Sequence, residues 1–264
     1  MCGICGFISK RNISTQCLVE MNNTMWHRGP DDAGVTMIQN GTYSVGLAHR
    51  RLSILDLTGA GHQPMLSQDG MIYVVFNGEI YNYKQLKKEL SDYEYKSTCD
   101  TEIIIAAYLK WGIKAIEKFN GMFAIGLYDK RIDKLFLCRD RIGKKPLYYW
   151  LDDDNIVFAS ELKPIMKSPG FVPILNKKVI GKFLFYQYIP DPQTIFENVY
   201  KVKPGEIVSV SQGLIEKHKY WSVNEAEISI SYGDAKLQLK KLLLESCRMR
   251  MIAVSYTHLR AHET

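Results

Sequence analysis

Short β-type runs crowd residues 1–160 of this 264-residue chain, and their density restricts its fold more than any other feature. The runs fall at 4–8, 35–37, 43–49, 71–77, 122–129, 134–139, 147–150 and 156–160, with turn chemistry between them. Asn40-Gly41 and Asp69-Gly70 are hairpin-grade turns, because glycine takes up the positive φ that tight loops need. Residues 129–133 lie between two apolar runs and read as a third hairpin. Helical periodicity interrupts this pattern. Ser14 is placed to cap a helix with Leu18, Met21 and Met25 on its apolar face, and Asp100 or Thr101 to cap one over 102–110. A shorter helix is predicted over 83–90. Strand-rich sequence with a few inserted helices predicts an α+β fold whose helices cover antiparallel sheets.

After residue 160 the texture changes. Pro164, Pro169, Pro173, Pro190, Pro192 and Pro204 punctuate the chain. A helix at about 177–186, a strand at 206–210 and a leucine-bearing helix at about 232–249 are expected there. Apolar residues make up 46% and charged residues 23%, a balance that excludes a disordered chain. No apolar run approaches the roughly 20 residues that span a bilayer, so no membrane association is expected. No basic stretch followed by an apolar one opens the chain, and six cysteines without an export signal point to reduced thiols in a cytoplasm. The net charge of +6 is uneven: residues 1–160 hold 19 basic and 18 acidic residues, and the remainder 15 and 10. No basic cluster is interleaved with aromatics, so nucleic acid is not an expected partner.

The second residue is a cysteine. Removal of Met1 would leave a thiol and a free α-amine on Cys2, and an α-amine titrating near pH 8 is able to take the thiol's proton. One residue then supplies both nucleophile and base. Two other readings compete. Cys2-Gly3-Ile4-Cys5 is formally a C-x-x-C pair, suited to redox or zinc chemistry, although no second ligand pair of zinc spacing follows. Alternatively, Cys2 is simply a small buried apolar residue.

The downstream motifs change that balance. Cys2-Gly3-Ile4-Cys5-Gly6 is followed by Trp26-His27-Arg28-Gly29-Pro30-Asp31, by the segment His49–Asp56, and by Phe76-Asn77-Gly78-Glu79-Ile80-Tyr81-Asn82. Then come Cys99-Asp100-Thr101-Glu102, Arg139-Asp140-Arg141-Ile142-Gly143 and Ala159-Ser160-Glu161-Leu162-Lys163. In this order the set resembles the glutaminase domain of the class II glutamine amidotransferases, over about residues 2–253. Within them it is most similar to the glutamine-hydrolysing asparagine synthetases of the bacterial B type. The resemblance implies the N-terminal-nucleophile hydrolase fold, a four-layer αββα sandwich. It also implies hydrolysis of L-glutamine, with ammonia passed to an ATP-using domain that makes asparagine from aspartate.

By that resemblance Cys2 is the nucleophile, and Asn77 with the Gly78 N–H stabilises the oxyanion. Arg51 receives the substrate carboxylate, Glu79 and Asp100 its ammonium group, and Arg51, Leu52, Ser53, Ile54 and Leu55 contact substrate. Each assignment has a plainer rival. Asn77-Gly78 could be a turn, Arg51 a surface ion pair and Asp100 a helix N-cap. His27, His49 and His62 read as structural, and Trp26, Tyr81 and Tyr83 as core or pocket wall. No metal site is expected.

The resemblance also sets domain expectations: a glutaminase domain over 2–210, a connector and the start of a truncated synthetase domain over 211–253, and an unrelated tail over 254–264. No cofactor is expected within these residues, since the Ser/Gly-rich nucleotide loop is absent; ATP and Mg belong to the synthetase domain. The expected partners are glutamine and that domain, with a homodimer as a further expectation. The alternatives are the same module serving another acceptor, such as a sugar phosphate or glycan precursor, a C-x-x-C redox or metal-binding protein, and an idle glutamine-binding regulatory module.

Overall fold

In the computed structural model, which describes residues 2–41, 43–53, 59–152, 155–211, 213–226 and 229–251, the β-type runs pair into two six-stranded antiparallel sheets. The first holds β1 (Gly3–Ser9), β2 (Asp32–Asn40), β3 (Tyr43–Arg51), β8 (Tyr148–Leu151), β9 (Asn155–Ala159) and β10 (Val199–Lys201), in the order β10-β8-β9-β1-β3-β2. The second holds β4 (Met65–Leu66), β5 (Ile72–Ile80), β6 (Gly121–Asp129), β7 (Lys134–Arg139), β11 (Glu206–Ser211) and β12 (Leu214–Lys219), in the order β12-β11-β7-β6-β5-β4. The three expected hairpins join β2 to β3, β4 to β5 and β6 to β7.

Side chains alternate across a strand, so each sheet has two apolar faces to bury. In β1, Ile4 and Ile8 turn toward the other sheet, while Cys5 and Phe7 turn outward. In β6, Ala124 and Tyr128 face inward, and Phe123, Ile125 and Leu127 face outward. The outer face of the first sheet is covered by α1 (Thr15–Asn23) and α5 (Leu162–Met166) through Leu18, Met21 and Ile165. The outer face of the second is covered by α2 (Tyr83–Glu89), α3 (Thr101–Trp111) and α4 (Ala115–Lys118) through Leu86, Ile104 and Ile116. The result is the four-layer αββα sandwich. Ser14 caps α1 as predicted, accepting from the Cys17 N–H at 3.2 Å.

Phe158 of β9 occupies the centre of the inter-sheet layer. A Cβ on Gly6 would lie 2.6 Å from its ring and one on Gly126 2.9 Å, so glycines in both sheets make room for one aromatic side chain.

The charged strand β12 was not apparent from sequence. It pairs with β11 along its full length, and this pairing carries the sandwich to Lys219, past the expected boundary at 210. Beyond it, Ser231 caps α7 (Tyr232–Arg250), accepting from the Asp234 N–H at 3.1 Å. No residue of α7 or of α6 (Ile180–Tyr186) is buried, and Phe185 and Leu237 are among their exposed apolar side chains. The expected tail at 254–264 lies outside the described residues. No helix among the described residues is long and apolar enough to cross a membrane.

Candidate active site

Pairing of β1 with β3 brings the start of the chain beside the end of β3. Gly3 lies opposite Arg50, so Cys2 reaches the Arg51–Leu52 corner. There the Leu52 N–H points at the Cys2 Sγ at 3.4 Å. The Arg28 Nε donates to the Cys2 carbonyl at 2.9 Å and fixes the backbone behind it. Cys2 forms part of the wall of a cleft of about 420 Å³, together with Arg51, Gly78, Glu79 and Asp100.

Strand alternation decides which arginine enters the cleft. Arg51 shares the inner face of β3 with Val45 and Leu47, is buried, and is backed by Gly61, where a Cβ would lie 2.0 Å from its Nη2. Arg50 points the other way, donating to the Asn22 carbonyl and the Asn23 side chain of α1. Leu52 lines the cleft. Ser53 does not: its N–H is taken by the Asp31 carboxylate at 2.8 Å. Ile54 and Leu55 lie outside the described residues.

The second sheet contributes an open strand edge. β6 covers one edge of β5 throughout, but on the other edge β4 pairs only with Tyr73 and Val74. Further along that edge, side chains take the backbone donors. Phe76 N–H donates to the Gln63 Oε1 at 2.7 Å, and Ile80 N–H to the Asp100 Oδ2 at 2.9 Å. Alternate residues of a strand direct their N–H groups to the same edge, so the Gly78 N–H faces the cleft between these two. Gly78 is glycine for a steric reason: a Cβ would lie 2.2 Å from the Met122 carbonyl oxygen. That reason differs from an unshielded amide, the one sequence reading supplied. Asn77 is fully buried, and its Nδ2 has no hydrogen-bond partner. It sits between the lining residues Phe76 and Gly78 without itself lining the cleft. Asn77 and Gly78 lie within a strand, so the turn reading is excluded.

Burial dominates the electrostatics. Desolvation pushes the Asp100 carboxyl up to about 7, with the Glu79 carboxylate adding to the rise and the Ile80 N–H opposing it. Glu79 is also raised by burial, against the opposing charge of Lys145. The Cys2 thiol is raised by burial and lowered by the Leu52 N–H and Lys145. Two buried carboxylates on one wall and a guanidinium on another suit a zwitterion. Asp100 occupies the N-cap position of α3, but its side chain makes no capping bond there; the bond to Ile80 replaces the expected cap.

Cys5 is fully buried in the outer layer beside α1, while Cys2 lines the cleft, and both are free thiols. This separation overturns the C-x-x-C reading. Among the described residues no three His, Cys, Asp or Glu side chains converge as metal ligands. His27 pairs with Glu161 at 3.0 Å and His62 with Asp32 at 2.7 Å. His49 joins the sheets: its Nε2 contacts the Phe76 carbonyl at 3.1 Å, and burial drives the imidazole down to about 3. Trp26 is exposed, contrary to its reading as core or wall. Sequence reasoning gave no site role to Gln63, Cys99, Thr101 and Lys145, which lie at or near the cleft; Cys99 and Thr101 stand in the Cys99–Glu102 motif, whereas Gln63 and Lys145 stand in no motif.

The family model described as a glutamine amidotransferase domain matches residues 1–221, and the chain belongs to that family. It is 42% identical to asparagine synthetase (glutamine-hydrolyzing) 2 of Bacillus subtilis, over 88% of this chain and 32% of that protein. It is 32% identical to asparagine synthetase (glutamine-hydrolyzing) 1 of the same organism, over 95% of this chain and 40% of that protein. The chain thus spans about half or less of the length of the curated relatives it matches. Among solved structures it is similar to the glutamine phosphoribosylpyrophosphate amidotransferase of B. subtilis. That match has a TM-score of 0.60 and 19% identity, covering 84% of this chain and 50% of the other; it establishes the fold alone.

Proposed function

We propose that this cleft hydrolyses the side-chain amide of L-glutamine to glutamate and ammonia, with Cys2 as nucleophile. The observation that carries this reading is the meeting of Cys2, Arg51, the Gly78 backbone edge, Glu79 and Asp100 on the walls of one cleft. In the mature chain the α-amine of Cys2 takes the thiol proton, and the Sγ attacks the amide carbon. Negative charge then builds on the carbonyl oxygen. The Gly78 N–H and the unpartnered Asn77 Nδ2 are the donors for it. The α-ammonium group returns its proton to the departing nitrogen, which leaves as ammonia, and water cleaves the thioester to glutamate. Arg51 pairs the substrate carboxylate through its planar fork, and Glu79 and Asp100 pair the ammonium group. No histidine takes part.

The ammonia is proposed to serve an ATP- and Mg-dependent synthetase half of the asparagine synthetase type. The exposed apolar residues of α6 and α7 are the surface such a half would cover. The test has two readouts. Intact mass of the active protein should begin at Cys2, and Cys2→Ala should abolish ammonia release from glutamine while Cys5→Ser retains most of it. Active material that keeps Met1 would refute the mechanism.

A further inference from the structure

The segment from Arg139 to Lys145 lies beside the cleft and has no part in the mechanism above. Its first two charged side chains are engaged by backbone groups of the loop and of the segments it packs against. The Asp140 carboxylate is fully buried and accepts backbone N–H groups from Phe123 at 3.1 Å, Ile142 at 3.2 Å, and Lys144 and Lys145 at 3.0 Å each. The Arg139 guanidinium donates to the Lys145 carbonyl at 2.9 Å, the Gly143 carbonyl at 2.9 Å and the Val202 carbonyl at 2.6 Å. Phe123 is the register partner of Gly78, and Met122 that of Glu79. The loop is therefore clamped to β6 at Phe123, the row that holds Gly78 and the neighbour of the row that holds Glu79. What the clamp fixes in place is Lys145, a lysine only 6% exposed.

A buried ammonium is costly unless charged groups surround it. Burial holds the Lys145 ammonium below its ordinary value; Glu79, the Cys2 thiol and Asp140 favour its charge against that cost, and Arg28 opposes it. Arg28 is engaged with Glu161 at 3.0 Å and with the Cys2 carbonyl. The groups that bear on the Cys2 thiol from other sides are the Leu52 N–H, the chain's N-terminal amine and Asp100. Arg51 shares the cleft wall.

We propose that Lys145 is a positioning residue of the glutamine site: held by the Asp140 clamp, its ammonium group favours the thiolate of Cys2 and keeps Glu79 ionised to receive the substrate's ammonium group. Lys145 takes no proton in the step; the thiol proton passes to the α-amine. This inference rests on the reading of Cys2 as nucleophile, but its test does not require turnover.

The test is the pH profile of iodoacetamide alkylation, read site by site by peptide mass mapping, on the wild type and on Lys145→Met, Lys145→Gln and Lys145→Arg. Lys145→Met should raise the midpoint of Cys2 alkylation by about one pH unit, which slows the reaction about tenfold at neutral pH. Lys145→Arg should restore the midpoint, and Cys17, outside the cleft, should keep its profile in every variant. KM for glutamine should rise in Lys145→Met through the loss at Glu79. If Lys145→Met does not fold by circular dichroism, Lys145→Gln takes its place. A folded neutral variant with the wild-type Cys2 profile, or equal midpoints for the Gln and Arg variants, would overturn the proposal. Ammonia release surviving in Cys2→Ala would overturn the hydrolysis mechanism instead, whatever the alkylation profiles show.

Discussion

The two ends of the inter-sheet layer are built on the same strands and do opposite things. The inner face of β3 reads Val45, Leu47, His49, Arg51, and that of β5 reads Tyr73, Val75, Asn77, Glu79. The first pair on each strand packs into the dry layer with Phe158, and the second pair lies at the end that Cys2 reaches. Pleat and sheet continue unchanged from one end to the other. Only the side-chain chemistry turns over, within about 7 Å of strand. At the apolar end, water removal stabilises the fold. At the polar end the same removal of water raises Asp100, Glu79 and Cys2 above their ordinary values. Burial that holds one half together is what perturbs the other.

If the two ends are separable, substitutions at each should leave the other's property intact. The largest effect on stability is expected from Phe158→Ala, which empties the space that Gly6 and Gly126 make for the ring. It should cost about 3–5 kcal/mol by thermal or denaturant unfolding, with KM for glutamine unchanged below the transition. A KM shift as large as the stability loss would break the comparison. Asn77→Ala acts at the other end: kcat should fall about 100–1,000-fold with little change in KM, and the melting temperature should hold, because the amide nitrogen lost has no partner. If only KM moved, Asn77 would not be an oxyanion donor. Arg51→Ala should raise KM by about 10–100-fold, the loss of a charge-assisted bidentate contact worth about 1.5–3 kcal/mol. Arg50→Ala, on the α1 side of the same strand, should leave KM alone; steady-state kinetics on the pair tests the strand alternation directly.

The smallest effect sharpens the contrast through pH. The Asp100 carboxyl titrates near 7, so kcat/KM for glutamine should fall as pH drops below 7, by about tenfold per unit, as the charge facing the substrate ammonium is lost. Stability moves in the opposite direction. The folded state holds a proton on Asp100 that the unfolded chain releases near pH 4, so this residue makes folding less favourable as pH rises from about 4 to 7. Asp100→Asn should remove both trends. Relative to wild type it should gain more melting temperature at pH 8 than at pH 5 while losing glutamine affinity. Equal gains at both pH values would show that Asp100 is not buried as an acid.

Much of this was open to reading from residues alone. Period-two runs and glycine turns marked nine strands of the two sheets, Ser14 marked the start of α1, and the motif residues Cys2, Arg51, Gly78, Glu79 and Asp100 fall together in the cleft. Such signals are local: pleat, turn geometry and capping depend on residues a few positions apart. The rest depended on contacts between distant segments. Asp100 reads as a cap until Ile80 is seen to claim it, and the Gly78 N–H faces the cleft because β4 begins only at Met65, opposite Val74, and leaves that edge open. Cys5 reads as the partner of Cys2 until the pleat buries it in another layer. Lys145 carries no mark in its own segment, since its buried neighbours Cys2 and Glu79 arrive from strands far along the chain. Local propensity wrote the strands and their faces, whereas open edges and desolvated charges exist only once the two sheets have closed on each other.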